Sequence, residues 1–108
     1  MRNTIVVATT SINTTPLDVE NNIALILNAY KEAVAQGADI VVSPELAITG
    51  YGLQDMFYVS DTIAKIPAKV VEISKQLDEN KYLAVGFPYL VEGGQLYNAV
   101  ALLTKIKF

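Results

Sequence analysis

The chain contains no cysteine, no histidine and no tryptophan. Without cysteine there can be no disulfide and no thiolate, and without histidine the commonest general base at neutral pH is gone as well. Zinc sites of the usual kinds need one or the other, so no metal site is expected. Charge is also scarce. Charged residues make up 18% and sum to a net −3, which argues against nucleic acid or an anionic membrane as partner. The lysines after Asp61 are spread among acids rather than clustered. No apolar run approaches the ~20 residues of a membrane span. Met1-Arg2-Asn3-Thr4 enters a strand-like segment without the apolar core of a signal peptide, so a cytoplasmic location is the default expectation. What the chain has in quantity is hydrophobicity, 52% over 108 residues. That suits one core and is too short for two domains, so residues 1–108 are read as one unit.

Taken in order, the pattern alternates strand and helix. Thr4 to Thr9 is rich in β-branched residues and reads as a first central strand. A polar loop to Thr15 leads into a helix start, with Thr15 or Asp18 as cap and Pro16 suited to the first turn. Val19, Ile23, Ile26, Leu27, Tyr30 and Val34 recur at helical spacing, and Gly37 closes the helix. Ile40-Val41-Val42 is a second strand, which makes a right-handed βαβ unit with parallel strands. From Tyr51 to Ser60 the chain reads as irregular but packed: Met56, Phe57 and Tyr58 serve equally as a hydrophobic clamp or as a substrate wall. Pro67 reads as the start of the main helix, with a kink in one longer helix as the alternative. Val70, Ile73, Ser74 and Leu77 form its inner side, and Asp78-Glu79-Asn80 ends it. Tyr82 to Val85 is a short strand ended by Gly86-Phe87-Pro88. Tyr89-Leu90-Val91, the turn Glu92-Gly93-Gly94-Gln95 and Leu96 to Leu103 read as a hairpin. Gly93 and Gly94 are turn residues and not a phosphate cradle, since no lysine or helix start follows them.

One stretch concentrates the chemistry: Asp39-Ile40-Val41-Val42-Ser43-Pro44-Glu45-Leu46-Ala47-Ile48-Thr49-Gly50-Tyr51. The unbroken run Ile40 to Val42 is that of a strand covered on both faces. Pro44 ends it, and Glu45 then stands at the carboxyl end of a buried strand, where open α/β sheets gather their ligands. The residues alone leave two readings of Glu45: a loop carboxylate facing water or capping a helix, or a catalytic acid/base in a cleft. Tyr51 is likewise either a core tyrosine beside a turn glycine or a pocket wall. Ser43 and Thr49 are candidates to orient Glu45, and Asn98, inside an apolar strand, is a candidate supporting residue.

Pro44-Glu45-Leu46 followed by Gly50-Tyr51 resembles the first signature of the nitrilase (carbon–nitrogen hydrolase) superfamily. Tyr51-Gly52-Leu53-Gln54-Asp55-Met56-Phe57 is similar to one branch, the glutaminase domain of glutamine-dependent NAD⁺ synthetase. Leu83 to Pro88 resembles the family's strand ending in Gly-x-Pro, and Gln95 to Val100 its Tyr-Asn-Ala strand. The likeness runs from Thr4 to about Leu103, yet covers only about two-fifths of the ~250–300 residues of a complete domain.

The resemblance implies an α/β fold, part of an α-β-β-α sandwich in the order strand-helix-strand-helix-strand-hairpin. It implies cleavage of a non-peptide C–N bond by a Glu-Lys-Cys set, with Glu45 as general base and Tyr51 near the cleft. Lys105 and Lys107 come too soon after Asn98 to match the family's lysine, and the cysteine is missing, so the chain alone is expected to be inactive. The substrate implied is glutamine, in a complete domain expected to be a homo-oligomer. No cofactor is expected in this chain; ATP and Mg²⁺ would belong to a separate synthetase domain. The tail Thr104 to Phe108 departs from the glycine-containing turn expected there, which reads as truncation or as an early end of the reading frame. Two rival readings stand beside this one. The first is a piece of a stand-alone amidase, such as an ω-amidase or carbamoyl-amine hydrolase. The second is a non-catalytic interaction module.

Overall fold

The structure is a computed structural model and describes residues 4–15, 18–44, 56–90 and 96–105. Six elements follow one another: β1 (Val7–Thr9), α1 (Val19–Ala35), β2 (Ile40–Val42), α2 (Met56–Ser74), β3 (Tyr82–Leu90) and β4 (Leu96–Thr104). The strands form one sheet in the order β1-β2-β3-β4. Val7 to Thr9 pairs in parallel with Ile40 to Val42, which pairs in parallel with Tyr82 to Ala84. β3 and β4 close an antiparallel hairpin along their whole length, from Tyr82 opposite Thr104 to Leu90 opposite Leu96. The expected α/β order is the one observed.

Both helices pack on the same face of the sheet. Ile26, Leu27 and Tyr30 of α1 meet Ile66, Val70 and Ile73 of α2, and Leu77 just beyond it, over Val41, Leu83, Val85 and Phe87. These spacings of three and four residues place one stripe of each helix inward. Each fully buried aliphatic side chain here stabilises the fold by about 1.5–3 kcal/mol relative to exposure. Because strand residues alternate between faces, the opposite face carries Val7, Ile40, Val42, Tyr82, Ala84, Val100 and Leu102. No described element covers that face: Val100 is 70% exposed, Leu102 64% and Val7 56%. The expectation that β2 is covered on both faces is therefore corrected. Val41 is buried, but Ile40 and Val42 remain half-exposed because both helices lie on Val41's side.

The caps of α1 follow from its ends. Asp18 is the N-cap, its carboxylate accepting from the Asn21 N–H at 3.3 Å, which decides between Thr15 and Asp18. Thr15 is held differently: its N–H donates to Asn22 Oδ1 and its carbonyl accepts from Asn22 Nδ2, both at 2.8 Å. Asn22 is fully buried, and this two-way bond to the backbone satisfies it. Gly37, at φ +100°, takes the left-handed backbone position that ends the helix, as the sequence predicts.

Two element boundaries differ from expectation. Pro67 lies inside one longer helix, the alternative reading rather than the helix start, and α2 begins at Met56, within the stretch read as irregular. Pro67 sits on the exposed side. The lost backbone bond, about 3 kcal/mol in an unsupported helix, is offset by the packing of Ile66, Val70 and Ile73 on the inner side. β3, in turn, does not stop at Gly86-Phe87-Pro88 but runs through them to Leu90. Among the described residues, the pairing of β3 with β2 ends at Ala84 and Pro88 is paired only with β4, and a sheet tolerates proline where one side of the strand is unpaired.

Polar ties hold the amino ends of the strands. Asp39, just before β2, accepts from the Val6 N–H at 2.9 Å and pairs with Lys81, just before β3, at 3.2 Å. Tyr30 reaches from α1 to the loop after α2, donating to Asp78 Oδ2 at 3.2 Å and accepting from the Asp78 N–H at 2.9 Å. Burial pushes the Tyr30 phenol above its ordinary pKa of 10.0. The Asp78 N–H opposes that rise, while the Asp78 charge and its side-chain bond add to it. On the outer surface Lys69 of α2 pairs with Glu20 of α1.

Candidate functional site at the carboxyl end of the parallel strands

The chain leaves β2 between two parallel neighbours. Thr10, one residue past β1, donates its N–H to the Val42 carbonyl at 3.0 Å and its hydroxyl to the same oxygen at 3.1 Å. Ser43, one residue past β2, repeats the arrangement on the next strand. Its N–H reaches the Ala84 carbonyl at 2.9 Å and its hydroxyl reaches that oxygen at 2.8 Å. Two consecutive last rungs of the sheet are thus each closed by a backbone and a hydroxyl donor on one carbonyl. Ser43 is buried at 9% exposure, and Pro44 after it is half-buried.

Glu45, Thr49 and Tyr51 lie outside the described residues. What is described is the strand before them: an interior parallel strand whose carboxyl end is tied to both neighbours. Asn98 lies in β4 opposite Pro88, four residues along β3 from the Ala84 that ends the pairing with β2. Among the described residues, the β3–β4 hairpin therefore extends past the carboxyl end of β2. The turn expected at Glu92 to Gln95 is also outside the described residues.

Among the described residues, the Asp39–Lys81 ion pair lies just before β2 and β3, while the Thr10 and Ser43 hydroxyls lie just past β1 and β2. No three acidic side chains gather into a metal-binding group among the described residues. No helix of the described residues is long and apolar enough to cross a membrane. A cavity of about 350 Å³ opens between the free edge of β1 and α1, lined by Val6, Ala8, Thr10, Ala29, Ala33 and Gln36 among others. Its described walls include none of the residues that the sequence singles out for chemistry.

Thr10 was not legible as part of this end, because a threonine after a strand reads as the beginning of a loop. Asn22 was missed for a similar reason: an asparagine within an amphipathic helix reads as solvent-facing unless its partner, here the Thr15 backbone, is known. Ser43 was identified as a candidate, and the structure gives its hydroxyl a partner.

A mixed sheet of three parallel strands and an antiparallel fourth, backed by two helices on one face, defines an α/β layered scaffold. The chain belongs to the carbon-nitrogen hydrolase family, which it matches over residues 6–107. A particular branch emerges from the relatives. The glutamine-dependent NAD(+) synthetase of Arabidopsis thaliana is 34% identical over 101 residues, which is 89% of this chain and 13% of that protein. The crystal structure of a glutamine-dependent NAD(+) synthetase from Cytophaga hutchinsonii superposes with a TM-score of 0.83 at 33% identity, covering 94% of this chain and 17% of that one. An amidase from Nesterenkonia sp. shares the fold, with a TM-score of 0.68 at 21% identity, covering 94% of this chain and 38% of that chain. The chain thus spans less than a fifth of the length of the synthetases it resembles.

Proposed function

We propose that this chain is the N-terminal portion of a glutamine amidotransferase domain, the portion that carries the general base, and that the domain's ammonia serves ATP-dependent NAD⁺ synthesis. The observation that supports this most is the likeness to glutamine-dependent synthetases, at about a third identity over nine-tenths of the chain. The likeness to an amidase, at 21% identity, is one of fold alone. The stretch Gln54-Asp55-Met56-Phe57 also favours the synthetase branch over a stand-alone amidase.

The chemistry runs through Glu45. An amide is a poor electrophile, so a thiolate attacks the glutamine side-chain carbonyl carbon and forms a C–S bond. Glu45 accepts the thiol proton as that bond forms. It returns the proton to the nitrogen as the C–N bond breaks, releasing ammonia and leaving an acyl-thioester that water hydrolyses to glutamate. A carboxylate in this role needs a raised proton affinity, which withdrawal from water would supply. Tyr51 is assigned to the pocket wall and Asn98, on β4, to a supporting role beside it. The thiol, and the lysine that joins it in this family, are not supplied by these 108 residues. ATP and Mg²⁺ act in a separate domain, and no residue here is assigned to them.

Ammonia release from glutamine by the purified 108-residue chain tests this reading. Turnover indistinguishable from that of Glu45→Ala is expected. Turnover well above that control would mean the thiol is dispensable and would overturn the mechanism.

A further inference from the structure

We propose that the bare face of the sheet is an interface between two copies of this chain, packed sheet against sheet. This surface is independent of the catalytic reading of Glu45. The strand registers assemble it. Val7, Ile40 and Tyr82 stand side by side in one row, and Val42, Ala84 and Leu102 in the next. Val100 extends the face along β4, and none of these side chains carries a charge. Both helices lie on the other side, against Val41, Leu83 and Val85. Scattered single apolar residues are ordinary on a surface, but an uncharged patch continuous across four strands marks an interaction site.

Shape and area decide the occupant. Val100 and Leu102 protrude from the face, whereas Ile5, Ile40 and Tyr82 border a recess of about 400 Å³ on it. A surface that carries both a protrusion and a recess can receive a copy of itself across a twofold axis. The exposed apolar part of these side chains is on the order of 500 Å² per copy, so two copies withdraw about 1,000 Å² from water. That is the lower bound of a specific interface, and it corresponds to a Kd on the order of 10–100 µM. Sheets stack face to face about 10 Å apart, so the pair is a closed set of four layers with the helices outside. Pairing of strand edges, at β1 or β4, would instead go on adding copies.

The test is sedimentation velocity of the 108-residue chain at concentrations from ~0.1 to ~10 times that Kd. The mass should rise from one chain to two and stop. Val100→Lys and Leu102→Lys, each checked for folding by circular dichroism, should each raise Kd at least ~10-fold, because a lysine head would lie unpaired between apolar sheets. Val71→Lys is the control: Val71 is 52% exposed on α2, across the sheet from this face, and its variant should keep the parent Kd. On the parent chain alone, dilution should shift the amide NMR signals of Val42, Val100 and Leu102 and leave that of Val71 in place. That measurement keeps the test available if both lysine variants fail to fold. A chain that stays monomeric over the whole range leaves the face to polypeptide outside these residues and overturns the proposal. So do assemblies that grow beyond two copies, which mark edge pairing, and dilution shifts that spare the face. An unchanged Kd in a folded Val100→Lys or Leu102→Lys, or an equal loss in Val71→Lys, overturns it as well.

Discussion

Replacing Tyr30 by Phe removes one oxygen from the middle of the core and leaves the packing volume almost unchanged. Two bonds go with it: the one donated to Asp78 Oδ2 at 3.2 Å and the one accepted from the Asp78 N–H at 2.9 Å. Asp78 is exposed, so its carboxylate regains water at little cost. The Asp78 N–H is the group left short of a partner. The net loss is about 1.5 kcal/mol, within the ~1–3 kcal/mol for an orphaned polar group. For a chain of this size that is a fall of roughly 5–10 °C in Tm. The pH dependence gives a second, independent reading. Burial raises the Tyr30 pKa in the folded state above 10.0, so the folded chain holds that proton more tightly than the unfolded one. The stability this contributes is intact below about pH 10 and is lost as pH rises through the raised folded value. Urea unfolding at pH 7 and at several values above 10 measures both effects. The parent should lose stability more steeply than Tyr30→Phe in the alkaline range, so that the two curves converge. A difference below ~0.3 kcal/mol at neutral pH, or parallel alkaline slopes, would refute the reasoning.

Other perturbations reach other parts of the molecule. Gly37→Ala should cost about 1 kcal/mol by chemical denaturation: a Cβ there meets nothing within 4 Å, so the loss is that of the φ +100° backbone alone. A loss of 3 kcal/mol or more would mean that the added methyl meets a neighbour. Val100→Lys with Leu102→Lys, on the bare face, should lower self-association in size-exclusion chromatography and lower binding of a hydrophobic dye, while changing stability by less than about 0.5 kcal/mol. Marked unfolding by this pair would mean that the face is already packed in the isolated chain.

The topology was legible because its signals are local. The inward stripe of α1, the glycine that ends it, the β-branched run at Ile40 and the apolar run at Leu83 each carry their meaning within a few residues. What failed was tertiary. Pro67 leaves a helix start and one longer helix both open until the packing of Ile66, Val70 and Ile73 is seen to support a helix on both sides of it. Gly86 and Pro88 read as strand breakers until β4 holds that part of β3 in register. The run Ile40 to Val42 reads as doubly covered because an apolar strand looks the same whether its second face is packed or bare. At the carboxyl end of β2 the Thr10 and Ser43 bonds that tie the strand to its neighbours were not legible. A hydroxyl's partner 32 or 41 residues away leaves no pattern in the sequence.

The central claim is that Glu45 takes the proton of a thiol that another stretch of polypeptide provides. Its most direct test is a chimera in which residues 6–107 replace the matching segment of the Cytophaga hutchinsonii synthetase, assayed for ammonia release from glutamine. Glutamine-dependent release is expected in the chimera, with a loss of at least 100-fold in kcat on Glu45→Gln. Release that persists undiminished in Glu45→Gln would contradict the claim.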